Sequence, residues 1–176
     1  MDSRRSGKVW VDPGLPPVEI PSPVLNEMYN HALKAYPMEE CCGLLVGDDE
    51  LPFREAHACR NDMTKHHRRD PFNYPRAARS AFHMRETDYL RVLRDAERRR
   101  LRVTAVYHSH VDAEPYFSEL DQEFASQPLF PFPGALHLVI SVTSDQGPAL
   151  VHGVGAFRWQ PEQGHFEGRP LRAREP

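Results

Sequence analysis

The sequence predicts an α/β sandwich, and three observations predict it. Two segments carry apolar residues at helical spacing, at least five short runs are rich in Val, Leu and Ile, and the two kinds of segment are interleaved along the chain. The 176 residues, 40% hydrophobic and 27% charged, suffice for one domain with a sizeable core. Residues 1–17 are polar and punctuated by proline, and are expected as an extension or an added strand. Residues 18–168 then form the domain and 169–176 a tail.

In chain order, residues 18–20 suit a short strand. Ser22 is a candidate N-cap with Pro23 at the first helical position. Leu25, Met28, Tyr29, Ala32 and Tyr36 follow as one buried helical face, which Pro37 ends. Residues 43–47 read as a buried strand, 48–50 as a turn, and 53–59 as the hairpin partner. Residues 61–80, with two prolines, His66-His67 and clustered arginines, show no period and predict a long loop. A further strand is expected over 81–84. Thr87 can cap a helix over 88–100 that buries Tyr89, Leu90, Leu93 and Ala96. Strands are expected over 103–107, 135–142 and 149–159, with a helix starting at Ser118. Phe157, Trp159 and Phe166 read as core or edge packing.

Composition narrows the functional classes. The net charge of −3 argues against a dedicated nucleic-acid binder, although residues 54–102 hold 14 basic against 7 acidic side chains. Several of those arginines are expected on the solvated side of one helix. No apolar run approaches the roughly 18 residues that span a bilayer, and no apolar stretch follows the N-terminal charges, so a soluble, cytoplasmic protein is expected. Cys41, Cys42 and Cys59 are too few for a disulfide scaffold. Cys59 can face the other two across the hairpin, as a disulfide or, in a cytoplasm, as a buried thiol.

The chemistry concentrates between Tyr107 and Asp121. His108 and His110 stand at i and i+2 at a strand end, so both imidazoles project from one face. Two such rings can ligate one zinc ion at about 2.0–2.1 Å each, and need a third ligand beside an open position. Asp121 suits that role, three residues after the helix-capping Ser118 and so in the first helical turn. Upstream, Glu40 lies three residues before the glycine that opens the buried strand at 43–47.

Together these residues resemble the JAMM (MPN-plus) zinc metalloprotease family, whose signature is a distant Glu, His-x-His-Pro, six residues, and Ser-x-x-Asp. Glu40, His108, His110, Ser118 and Asp121 match position by position, and Glu39 is the neighbour to exclude. Val111 stands where the family usually has proline, which leaves the path of loop 111–117 open. The likeness spans residues 18–168 and points to the short prokaryotic members. It implies the MPN fold, a mixed curved β-sheet packed between helices in a cytidine-deaminase-like sandwich.

The resemblance further implies one Zn2+ per chain held by His108, His110 and Asp121. Glu40 would act as general base on the activated water, and Ser118 would donate to the oxyanion. The implied reaction is hydrolysis of an amide at the Gly-Gly tail of a ubiquitin-like or sulfur-carrier protein, with release of cysteine as the leading case. A deconjugase for a ubiquitin-like modifier, or a non-catalytic MPN scaffold, are the alternatives. Loop 61–80 and the segment 130–133 are candidate walls of the groove. Neither a nucleic-acid nor a membrane partner is expected.

Overall fold

The computed structural model describes residues 7–176; the first six residues of the expected extension lie outside them. In chain order the elements are β1 (Val18–Pro21), α1 (Ser22–Ala35), β2 (Cys42–Gly47), β3 (Glu55–Cys59), α2 (Met63–Arg69), α3 (Glu86–Arg98), β4 (Arg102–Val111), α4 (Glu119–Ala125), β5 (Leu136–Thr143), β6 (Leu150–Gln160) and β7 (His165–Arg174). The seven strands form one mixed sheet in the order β1-β7-β6-β5-β4-β2-β3. β1 with β7 and β4 with β5 run parallel, and the other neighbours run antiparallel.

Strand alternation divides the core into two sides. Leu45, Ala105, Tyr107, Leu138 and Ile140 pack with Leu25, Met28 and Ala32 of α1. Their neighbours in sequence, Leu44, Val46 and Val106, pack on the other side with Val92 and Ala96 of α3. Helices thus cover both faces, which is why β2 is buried along its whole length and reads as an unbroken apolar run. Gly43 is the exception to that run for a steric reason. A Cβ there would meet the Tyr107 ring and the His57 carbonyl, so only glycine lets Tyr107 lie across β2.

The mixed sheet between helices is the architecture the sequence predicts, and the departures are local. α1 begins at Ser22, with Pro21 as its N-cap and no side-chain cap. The Ser22 hydroxyl donates instead to the Glu175 carboxylate at 2.8 Å. Residues 61–80 contain α2, a seven-residue helix that buries only Met63, so no apolar period marks it. The strand expected over 81–84 is a single bridge, Asn61 to Met84. α3 starts at Glu86, before Thr87, and buries Asp88, Val92 and Ala96, whereas Tyr89, Leu90 and Leu93 are only partly covered. β7 is unanticipated: residues 169–174, set apart by sequence as a tail, make its second half between β6 and β1.

Several of the arginines, Arg91, Arg94 and Arg98 of α3 and Arg99 at its C-cap, face water. Arg98 pairs with Asp95 at 2.8 Å, and Arg99 with Asp95 and with Glu55 at 2.9 and 2.6 Å. The three cysteines are buried and free, with Cys42 directly opposite Cys59 across the β2–β3 pair. Burial pushes the Cys41 and Cys59 thiols up to about 12. Among the described residues no helix is long and apolar enough to cross a membrane.

Candidate metal centre

β4 extends four residues past its expected end, and so carries both histidines at its terminus. His108 and His110 are buried on the same face of the sheet, opposite the α1 side, with Cys42 of β2 and Val139 of β5 flanking His108. Asp121 reaches them from α4. The Ser118 Oγ accepts from the Asp121 amide at 3.0 Å, and Asp121 Oδ2 accepts from the Ser118 amide at 2.9 Å. This reciprocal cap fixes the carboxylate as well as the helix start. Asp121 Oδ1 lies 3.3 Å from His108 Nε2, Oδ2 lies 3.6 Å from His110 Nε2, and the two Nε2 atoms are 3.3 Å apart.

The tautomer of His110 follows from its other nitrogen. Nδ1 is 2.8 Å from the Glu114 carbonyl, which can only accept, so a proton sits on Nδ1, and in the neutral ring the Nε2 lone pair is the one that faces the cluster. His108 stacks on the Phe82 ring at 4.6 Å, which orients it without using a nitrogen. Among the described residues this trio is the group able to hold a metal ion, with ligand atoms within 4.8 Å of one another. Two imidazoles and one carboxylate, buried and converging, fit the three-ligand zinc site that keeps a further position open. In the metal-free protein burial alone would raise the Asp121 carboxyl, but the charge and hydrogen bonds of His108 and His110 in their protonated form more than offset it and hold the group well below the usual carboxylate range.

Glu40 lines the same cleft, of about 160 Å3, as His110, Ser118 and Asp121. Its backbone is pinned on both sides: the amide donates to the Ala78 carbonyl at 2.8 Å, and the carbonyl accepts from Asn61 Nδ2 at 2.9 Å. The next residue, Cys41, donates to Ser109 Oγ at 2.7 Å and accepts from the Ser109 amide at 3.0 Å. Burial raises the Glu40 carboxyl well above its ordinary range, the Asp121 charge adds to this, and Arg76 opposes it. Glu39 is partly exposed and borders a different cleft, with His31 and Arg60.

Loop 111–117 holds its path without the proline. Asp112 takes a left-handed conformation, φ 53°, its amide donates to the Val142 carbonyl at 2.9 Å, and its carboxylate accepts from Tyr36 Oη at 2.8 Å. Ser141 Oγ donates to the Ala113 carbonyl at 2.6 Å. The N-terminal stretch adds a clamp, since Val9 and Phe117 exchange two backbone hydrogen bonds of 2.9 Å.

Of the two expected groove walls, the first borders the cluster through Arg76, Arg79 and Ser80. Phe130 and Pro133 line a separate cleft with His137, Trp159 and Phe166. Asn61, which holds the Glu40 carbonyl, and Ser109, which fastens the adjacent Cys41 to the histidine strand, escape sequence reasoning because their partners are main-chain groups. His66 and His67, expected in a loop, belong to α2.

The family described as prokaryotic homologs of the JAB domain matches residues 21–159. Among solved structures, a protein from Desulfitobacterium hafniense superposes with a TM-score of 0.60 at 20% identity, over 90% of this chain and 93% of that one. One from Salinibacter ruber gives 0.56 at 24% identity, over the same shares of each chain, 90% and 93%. At these identities the likeness shows the fold alone. No curated protein matches the sequence.

Proposed function

The chain belongs to the prokaryotic homologs of the JAB domain, and on that premise we propose that it is a zinc-dependent peptidase acting on the C-terminal tail of a ubiquitin-like or sulfur-carrier protein. The observation that carries this reading is the shared cleft. A buried carboxyl that belongs to no ligand trio, Glu40, opens onto the same small space as the His108–His110–Asp121 cluster. A scaffold that only binds partners has no use for either.

Zinc bound by His108, His110 and Asp121 would polarise water and the scissile carbonyl. Glu40 accepts the proton of the attacking water and returns it to the departing amine. Its raised affinity for a proton suits that exchange. Ser118 uses its oxygen to accept from the Asp121 amide, which leaves its hydroxyl proton to donate to the developing oxyanion. A Gly-Gly tail suits the site because side-chain-free residues let a backbone approach closely. Release of cysteine from a sulfur carrier is the leading case.

The test is hydrolysis of a sulfur-carrier protein ending Gly-Gly-Cys by the zinc-loaded chain, followed by mass spectrometry. Loss of the final residue, blocked by a chelator and restored by zinc, is the expected result. Intact conjugates of both the sulfur-carrier and the ubiquitin-like kind, after incubation with zinc-loaded protein, would leave only the scaffold reading.

Asn61 supplies a second check. Asn61→Asp keeps an acceptor for the Met63 and His83 amides, both at 3.0 Å, but loses the donor to the Glu40, Ala78 and Ala81 carbonyls. A drop in kcat of roughly tenfold is expected from the displaced base, with metal content unchanged. An unaltered kcat would confine Asn61 to a role in folding.

A further inference from the structure

Two arginines at the rim of the cleft have no part in the chemistry above. Arg76 and Arg79 line the same space as Glu40, His110 and Asp121. The stretch that carries them is fastened to the proposed base, because the Glu40 amide donates to the Ala78 carbonyl at 2.8 Å. The Ala78 amide in turn donates to Thr64 Oγ1 of α2 at 3.0 Å. Both cations are therefore tied to the same scaffold as Glu40.

The two differ in what already occupies them. Arg79 pairs with Asp112 at 3.1 Å, and Tyr36 Oη holds that carboxylate from its other oxygen. Arg76 forms no ion pair among the described residues, although its charge reaches Glu40. An uncommitted guanidinium beside a hydrolytic centre is a receptor for an anion on the substrate.

We propose that Arg76, with Arg79 beside it, receives the α-carboxylate of the residue that leaves, which makes the site selective for releasing a single C-terminal amino acid. This rests on the hydrolase reading above and sharpens its substrate class. Water adds to the carbonyl carbon of the last amide and the C–N bond breaks. The tail keeps the water oxygen as a new carboxylate, and the amine departs with a proton as a free amino acid. In that product the α-carboxylate sits one carbon from the departing nitrogen, close enough for a cation on the same cleft. In a lysine isopeptide the departing nitrogen is followed by four methylenes and no carboxylate is near it. The arginines therefore favour a carrier–amino acid conjugate over a branched modifier linkage.

The experiment uses a dansylated peptide ending Gly-Gly-Ala, as the free acid and as the C-terminal carboxamide; alanine keeps a thiol away from zinc. Hydrolysis by the zinc-loaded chain is measured together with fluorescence-anisotropy binding to zinc-loaded Glu40→Gln. The acid is expected to be cleaved and bound about tenfold better than the amide, and Arg76→Gln is expected to bring that acid-to-amide ratio to about one, whatever the lost charge does to both reactions through Glu40. Equal handling of acid and amide, or an equal loss on both with Arg76→Gln, would overturn the proposal and leave Arg76 as a charge that tunes Glu40. Acid-selective, Arg76-dependent binding without cleavage of either peptide would uphold the carboxylate site and overturn the hydrolase reading. Neither cleavage nor selective binding would overturn both.

Discussion

Asp121→Asn is expected to lose bound zinc and, with it, all hydrolysis, while the chain stays folded. The carboxylate supplies two things at once: a ligand atom within 3.3 Å of His108 Nε2, and the acceptor for the Ser118 amide. Asparagine retains a carbonyl oxygen for that amide, so the helix cap survives, but it brings no negative charge to the two imidazoles. Asp121→Ala also removes the acceptor for the Ser118 amide, while Ser118 Oγ still accepts from the amide of residue 121, so it costs some helix-start stability in addition to the metal. Elemental analysis after dialysis separates the two effects when read beside thermal unfolding. The wild type should hold one zinc per chain and gain thermal stability from it, because the ion binds the folded state alone. One zinc per chain in Asp121→Asn would rule the aspartate out as a ligand.

Glu40→Gln is expected to keep the zinc and reduce kcat by about 10²–10⁴-fold, the usual contribution of a positioned general base. The replacement preserves shape and burial, so binding of substrate should change little. Its second signature is in the pH profile. The base must be ionised to work, so activity of the zinc-loaded wild type should rise as pH increases through the Glu40 pKa. The variant lacks that acidic limb. In metal-free protein burial moves the Glu40 pKa upward, which has a stability consequence. A carboxyl with a folded-state pKa above its unfolded value supports the fold fully below the unfolded value and loses that support as pH rises through the folded one. Metal-free Glu40→Gln should therefore melt above the wild type at neutral pH and lose that advantage toward pH 4.5, the ordinary value for the group. A variant with wild-type kcat would remove Glu40 from the mechanism, and the base would have to be sought elsewhere in the cleft.

The parts of the site that were legible in sequence are those whose geometry is short-range. His108 and His110 share a face because strand side chains alternate, and Ser118 with Asp121 share a helix start because capping spans three residues. Glu40 was found by its spacing to Gly43 and by family likeness, not by any periodicity. Its meeting with the histidines needs β2 and β4 to pair in the register that sets Cys42 opposite His108. The fold was legible where apolar runs were continuous, as in β2 and β5. It was not legible in β7, where Gly168, Arg169 and Pro170 interrupt the alternation and pairing with β6 and β1 supplies the order instead. Short helices fail in the same way. α2 has one buried side chain and too few residues to be stable by propensity, so packing creates it.

The sequence by itself therefore determined the sandwich of helices and strands, the His-x-His pair on one strand face and the capped aspartate. Each is set within a few residues by backbone sterics, side-chain alternation or capping. Only the tertiary structure decided that Glu40 shares one cleft with the cluster, that Asn61 holds its backbone and Ser109 that of Cys41, and that Arg76 and Arg79 stand at the rim. Those arrangements depend on hydrogen bonds between residues up to 68 positions apart, made largely with main-chain groups that every residue carries. A carbonyl is the same in any sequence, so its partner becomes visible only once the chain has folded.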